Sequence, residues 1–233
     1  DLRHTSFHFR MIWQIPRRIS PDVRRVLLLM LPVTISLGLI NFNLLINSFF
    51  GTLVSDQAPA AIDKAFRVYM LPQGIFSVAV ATVVFPTLAR FAAREEYDDL
   101  RATMANGMRQ ILFLLVPAAA AILVLSEPMI RLVYQRGEFD AGQTDVVATA
   151  LFWFSLSLPF NGLFLLLTRT FFSIQRPWVP TAISAGNLVL TALVALALYE
   201  PFGVGGIVFG TVVATAASDA PQSVILSRQV GGL

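Results

Sequence analysis

Residues 65–91 read AFRVYMLPQGIFSVAVATVVFPTLARF. From Val68 to Ala89 this stretch holds no charge, and it is long enough to cross a hydrocarbon core, which takes ~20 apolar residues in a helix. One guanidinium, Arg67, stands at its edge. An ionisable side chain at membrane depth costs ~2.5 kcal/mol or more unless it faces protein or a wet cavity. Arg67 is therefore the first candidate for a ligand-binding residue, and the rest of the chain is read around it.

The composition agrees with a membrane protein. Hydrophobic residues make up 56% of the 233 positions and charged residues 13%, against ~45–50% and ~25% in soluble domains, and mean hydropathy is +0.70. Six segments have the apolar length of a membrane helix: 26–54, 65–89, 110–126, 146–168, 179–199 and 204–226. The expected fold is an all-α six-transmembrane-helix bundle spanning 26–228. The punctuation between the spans reads as loops, including RFAAREEYDDLRATMANGMR and EPMIRLVYQRGEFDAGQT. Residues 1–25 are polar and rich in arginine, with neither an apolar h-region nor a small-residue cleavage site, so they read as a cytoplasmic loop cut open and not as a signal peptide. Residues 229–233 form a truncated tail.

Basic residues set the orientation, because short cytoplasmic loops carry the excess of Lys and Arg. With the N-terminus inside, Arg3, Arg10, Arg17, Arg18, Arg24, Arg25, Arg90, Arg94, Arg101, Arg109, Arg169, Arg176 and Arg228 lie on the inner side. Lys64, Arg67, Arg131 and Arg136 lie on the outer side. This places both ends in the cytoplasm. A pI of 9.8 does not indicate nucleic-acid binding here, since these arginines flank apolar helices instead of forming a basic face interleaved with exposed aromatics.

Polar and breaking residues stand within the spans. Pro72, Pro86, Pro117 and Pro159 each remove a backbone donor, giving either static kinks or bending points. On the first helix Thr34, Asn41 and Ser48 form one stripe, with Ser36, Asn43 and Asn47 nearly opposite. Each stripe is either interhelical hydrogen bonding or a wet face. Gly206, Gly210, Ala214 and Ser218 recur every four residues, a small-residue row that lets another helix come close. Asp219 follows that row, and its expected partner is an arginine at the cytoplasmic end, with an ion or proton as the alternative.

Signatures of catalysis are missing. No GxxxxGK[ST] loop exists, Lys64 is the only lysine, and cysteine is absent. Glu95, Glu96, Asp98 and Asp99 lie among arginines and read as a solvated loop, and His4 and His8 have no candidate supporting ligands nearby. The chain is expected to be a transporter and not an enzyme, with no cofactor. Energy would come from a coupling ion, sodium or proton, or from the membrane potential.

The residues also carry a family resemblance. The segment at 65–91 resembles the ADRLYQLPLGIFGVALGTVLLPRLSR type of segment in the MurJ/MviN family, and IRLVYQRGEFDAGQT is similar to that family's LYxRGxF loop. LLTRTFFSIQRPWVP and ISAGNLVLTALVALALY resemble its next hairpin. The resemblance covers 23–228 and implies a MOP exporter fold and alternating-access flipping of lipid II, the undecaprenyl-linked peptidoglycan precursor, across the bacterial cytoplasmic membrane. Its register implies helices seven to twelve, the second lobe alone, with the first lobe and the tail groove outside this chain.

Arg67 falls on a family position implicated in binding the headgroup diphosphate. The family often has an acidic residue before it, where this chain has Phe66, so Arg67 lacks that neighbour and is expected to be more available to an anion. Where some members bind sodium, the matching region offers Asn47, Asn187 and Thr191 without a carboxylate, which argues against a metal site; Asn43 and Thr211 complete the candidate cavity or ion-site residues. If the chain is one lobe, its small-residue row and polar first helix are expected to face missing partners. Two other functions remain open at this stage: a MOP-type exporter of another amphiphile or lipid-linked oligosaccharide, and a membrane scaffold for cell-wall enzymes.

Overall fold

A computed structural model describes residues 21–136 and 139–229; the expectations for His4, His8 and residues 1–20 and 230–233 lie outside them. The described residues form α1 (Pro21–Val54), α2 (Ala58–Pro72), a π-helical turn (Gln73–Val78), α3 (Ala79–Ala93), α4 (Tyr97–Tyr134), α5 (Ala141–Ser173) and α6 (Trp178–Gln229). Helix is the only local structure that satisfies each backbone donor and acceptor within its own segment, as a lipid environment requires. The α2, π and α3 segments run as one long helix, Ala58–Ala93. The π turn follows Pro72, whose missing N–H already interrupts the regular ladder.

α6 is two limbs. At Gly203 the backbone takes φ 54 and ψ −134, a conformation in which a Cβ is strained, and with Pro201 just before it the chain reverses. Together with α1, the Ala58–Ala93 helix, α4 and α5, the two limbs make six passes. Ala58–Ala93, Tyr97–Tyr134, Ala141–Ser173 and Trp178–Gln229 are long and apolar enough to cross a membrane. Turns are tight. Glu96 N–H donates to Phe91 O (3.0 Å) and Arg176 N–H to Phe171 O (3.0 Å), with Glu95 and Gln175 each left-handed at φ 58, so α3 and α5 end in matching Schellman-type caps. Asp140 caps α5 by accepting from Gln143 N–H at 2.8 Å.

Several helices are longer than their apolar runs. Residues 97–109, read from sequence as loop, are the first turns of α4, held down by Leu100, Met104 and Gly107 on one buried face. The helix then runs through Pro117 and on to Tyr134, past Pro128. α2 begins at Ala58, not at 65, and α1 at Pro21.

α5 lies at the centre, packed by α2, α3, α4 and α6. Phe154 stands 5.8 Å from Phe66 and 5.4 Å from Tyr69, and Ser157 Oγ lies 3.3 Å from Tyr69 Oη within the same core. Gly162 lets α4 and the π turn close on α5: a Cβ there would strike Ile111 and Leu115 and come within 3.1 Å of Ser77 Oγ.

The small-residue row has its partner inside the chain, which corrects the expectation of a missing one. A Cβ on Gly206 would overlap the carbonyl group of Leu198, and one on Gly210 would lie 3.2 Å from Thr191 O and Ala195 N. Ser218 accepts a hydrogen bond from Asn187 Nδ2 at 3.0 Å. The row therefore joins the two limbs of α6 to each other.

Candidate functional site

Arg67 lies one turn beyond Asp63 on α2. Its Nε donates to Asp63 Oδ2 at 2.9 Å, with both side chains exposed, at 70% and 55%. Phe66 stands where the family often has an acidic residue, and Asp63 supplies a carboxylate a helical turn earlier, where i,i+4 side chains meet. Asp63 takes Nε only. Both terminal amino groups of Arg67 have no partner among the described residues and form an open planar fork, the donor geometry that fits two oxygens of one phosphate.

The neighbouring base is disposed differently. Lys64, three residues before Arg67, is engaged by aromatic rings, with Nζ 4.2 Å from the Phe139 ring centroid and 5.9 Å from that of Tyr134, while Tyr134 Oη donates to Lys64 O at 3.4 Å. This cation–π clasp ties the start of α2 to the turn between α4 and α5. Asp63, Arg67 and Met70 are exposed and Ala61, Ala65, Val68 and Tyr69 buried. Arg67 thus stands on the uncovered stripe of an otherwise packed helix.

The second constellation lies where α1 crosses both limbs of α6. Asn47 Nδ2 donates to Asn43 Oδ1 (3.2 Å) and to Thr211 Oγ1 (3.2 Å), and Asn43 Nδ2 donates to Thr191 Oγ1 at 3.4 Å. Four of the five polar residues singled out from sequence therefore meet, on three helical segments. Asn187, one turn before Thr191, bonds Ser218 instead. Asn43 and Asn47, of one of the two polar stripes, thus face α6 and not a missing partner, unlike the expectation, whereas Thr34 of the other stripe is exposed; the side chains of Ser36 and Asn41 lie outside what is described. Asn47 is 1% exposed, and its Oδ1 has no partner.

This network is neutral. Its amide nitrogens point at the two threonine hydroxyls, so cation binding would require them to turn away, and no carboxylate is present to offset a charge. Among the described residues no group of three or more His, Cys, Asp or Glu is placed to hold a metal. The arrangement is suited to fixing the three segments together. Asn47→Ala is expected to lower the unfolding free energy by about 1–3 kcal/mol, because it removes a buried amide and strands its half-buried partners Asn43 and Thr211; equilibrium unfolding in mild detergent measures it.

Asp219, expected beside an arginine, has no such partner: both carboxylate oxygens are buried without a hydrogen bond among the described residues.

The family model for the lipid II flippase MurJ matches residues 2–232. The chain belongs to the MurJ family. It is 34% identical over 197 residues to a probable lipid II flippase MurJ of Rhizobium meliloti (strain 1021), covering 84% of this chain and 37% of the relative. It is 30% identical over 213 residues to one from Synechocystis, covering 91% of this chain and 40% of the relative. The chain thus spans about two-fifths of the length of these curated MurJ relatives.

Solved structures agree on architecture. A lipid II flippase MurJ in an inward closed conformation superposes with a TM-score of 0.77 at 20% identity, over 91% of this chain and 46% of that one. The Vibrio cholerae MATE transporter VcmN in the bent form gives 0.79 at 17%, over 94% and 49%. At these identities the likeness bears on the fold alone, a multi-pass helical bundle.

Proposed function

We propose that this chain is the second lobe of a flippase that carries lipid II, or a related undecaprenyl-diphosphate-linked substrate, across the bacterial cytoplasmic membrane by alternating access. The single observation that carries this reading is Arg67: a guanidinium held by Asp63 through Nε, with its bidentate edge open, on the uncovered stripe of a helix in a MurJ-family lobe. A lipid-linked diphosphate offers the matching oxygens, and in a low-dielectric cavity such a pairing is far stronger than at a surface. The other lobe of the same protein would face Arg67 and complete the cavity. Membrane lipids would cover the exposed apolar side chains of α1, among them Phe42, Leu45, Phe49 and Leu53.

Nothing in the chain resembles a nucleotide-binding loop, so transport would draw on an ion gradient or on the membrane potential, where a charge moved through the full field is worth ~2.3 kcal/mol per 100 mV. A substrate-level test is complementation by a chimera in which this chain replaces the matching part of the Rhizobium meliloti relative, in cells depleted of lipid II flipping. Growth with the native sequence is the expected result; failure of a stably inserted chimera would count against the lipid II cargo and favour another amphiphile.

The proposed orientation has both ends in the cytoplasm. Single cysteines at Ala93 and Gln143, at opposite ends of the bundle in this cysteine-free chain, are expected to react with impermeant reagent from opposite sides, Ala93 from the cytoplasm. Labelling of both from one side would overturn the six-pass topology.

A further inference from the structure

The second limb of α6 carries a carboxylate that neither constellation above uses. Both oxygens of Asp219 are closed to solvent and lack a hydrogen-bond partner among the described residues. Gln222, three residues on, is 0% exposed, and both its Oε1 and its Nε2 are likewise unpartnered. Residues at i and i+3 lie ~5–6 Å apart at Cβ on one side of a helix, so two buried, unsatisfied polar groups stand within reach of each other.

α5 adds a third. Thr168 Oγ1 is buried and unpartnered. Trp153 packs between Gly205 and Phe209, its ring 5.2 Å from that of Phe209, which sets it level with Ile207. Equal steps along the two helices, which run the same way from there, bring Thr168 level with Gln222.

Among the described residues no cation stands opposite. The first limb of α6 has no charged residue from Trp178 to Tyr199, and α1 has none from Val26 to Val54. On α5 the nearby base is Arg169, whose guanidinium lies over the Phe85 ring of α3 at 5.8 Å. Arg176 sits in the turn after α5, and Arg228 lies on the last turn of α6, ~14 Å along the helix from Asp219 at 1.5 Å per residue. Asp22, Arg24 and Arg25 occupy the first turns of α1 at that same end. The charges of α2, Asp63, Lys64 and Arg67, belong to the opposite end, near Gly203.

An ionised carboxylate in this position would have only the neutral donors Gln222 Nε2 and Thr168 Oγ1 to turn to and no counter-ion among the described residues, a costly arrangement for a buried charge. A neutral carboxylic acid gains an O–H donor, and Gln222 Oε1 and Thr168 Oγ1 are acceptors in need of one. We propose that Asp219 is a proton-binding site of this lobe, neutral and with its O–H within reach of Gln222 Oε1 while α1, α5 and α6 are packed as here, and ionised when the seam between α5 and α6 opens to water. The proton is then the coupling ion that the α5–α6 seam can carry. This assignment does not depend on the cargo or on Arg67.

The test is infrared spectroscopy of the 233-residue chain in lipid nanodiscs. At neutral pH the native chain is expected to show a protonated-carboxyl C=O band above the amide I region, and Asp219→Asn to lose it with its melting temperature unchanged, since the amide imitates the neutral acid. Gln222→Leu is expected to keep the band but move it to higher frequency by removing its acceptor. That shift reads the same contact if the Asn variant inserts poorly. A native chain without the band at neutral pH, loss of the band on exchanging potassium for sodium, or a lowered melting temperature for Asp219→Asn would each overturn the proposal, the last two by revealing a metal-ion site or an ion pair.

Discussion

Arg67→Ala, placed in the complementing chimera, is expected to abolish growth without lowering the amount of protein in the membrane. The two halves of this result have separate causes. The Asp63–Arg67 pair is exposed on both sides, and such pairs contribute only ~0–1 kcal/mol to folding, so its removal should leave the lobe intact. Binding is another matter, because each charge-assisted hydrogen bond to a phosphate oxygen is worth roughly 1.5–3 kcal/mol, and losing two of them reduces occupancy by orders of magnitude. Arg67→Lys is expected to rescue only partly, since a point charge lacks the planar fork that Asp63 holds in place. Arg131, exposed and paired with Glu127 at 2.6 Å, is expected to tolerate alanine. Full growth of the Arg67→Ala chimera at normal abundance would remove the substrate-site assignment.

Much of the fold could be read from the apolar runs, and the places where it could not have a common cause. A hydropathy window averages over faces, whereas a helix that leaves the membrane keeps only one apolar face. Leu100, Met104, Gly107, Ile111 and Leu115 repeat at helical spacing straight through the polar stretch taken for a loop. In the same way Ala58, Ala61, Ile62 and Ala65 extend α2 backwards past its apolar run. Periodicity was present in both, and weighing it above mean polarity would have recovered the boundaries.

The site was legible to a different degree. Asp63 as the partner of Arg67 follows from i,i+4 spacing alone, whereas the family pattern points to the adjacent position, Phe66, which carries no charge. The polar residues of α1 were visible as a stripe, but their partners, Thr191 and Thr211, lie on two helix limbs whose offsets are set by packing at Gly206 and Gly210, and no local pattern encodes such offsets. The isolation of Asp219 is legible only once its described neighbours are in place: Arg228 lies on the same limb and Arg176 in the turn after α5, yet neither meets its carboxylate.

That packing offers the sharpest stability contrast in the molecule. Gly206→Ala is expected to destabilise the lobe by about 1–3 kcal/mol or more, the range for overpacking a close contact, and Gly186→Ala to stabilise it by roughly 0.5–1 kcal/mol through helix propensity. Both glycines lie within α6, and the same methyl group is added to each. At Gly186 nothing lies within 4 Å of the new Cβ. At Gly206 the Cβ meets Leu198, with the carbonyl carbon at 2.8 Å, and main chain cannot turn aside as a flexible side-chain end can. Relief requires the limbs to separate, and that separation would stretch Asn187–Ser218 and loosen the seam to α1 at Asn47–Thr211. Unfolding of the two variants side by side decides the matter: equal effects would mean that the limbs are not held as tightly as Gly206 implies, while opposite signs would identify the row from Gly206 to Ser218 as the hinge line on which the polar network depends.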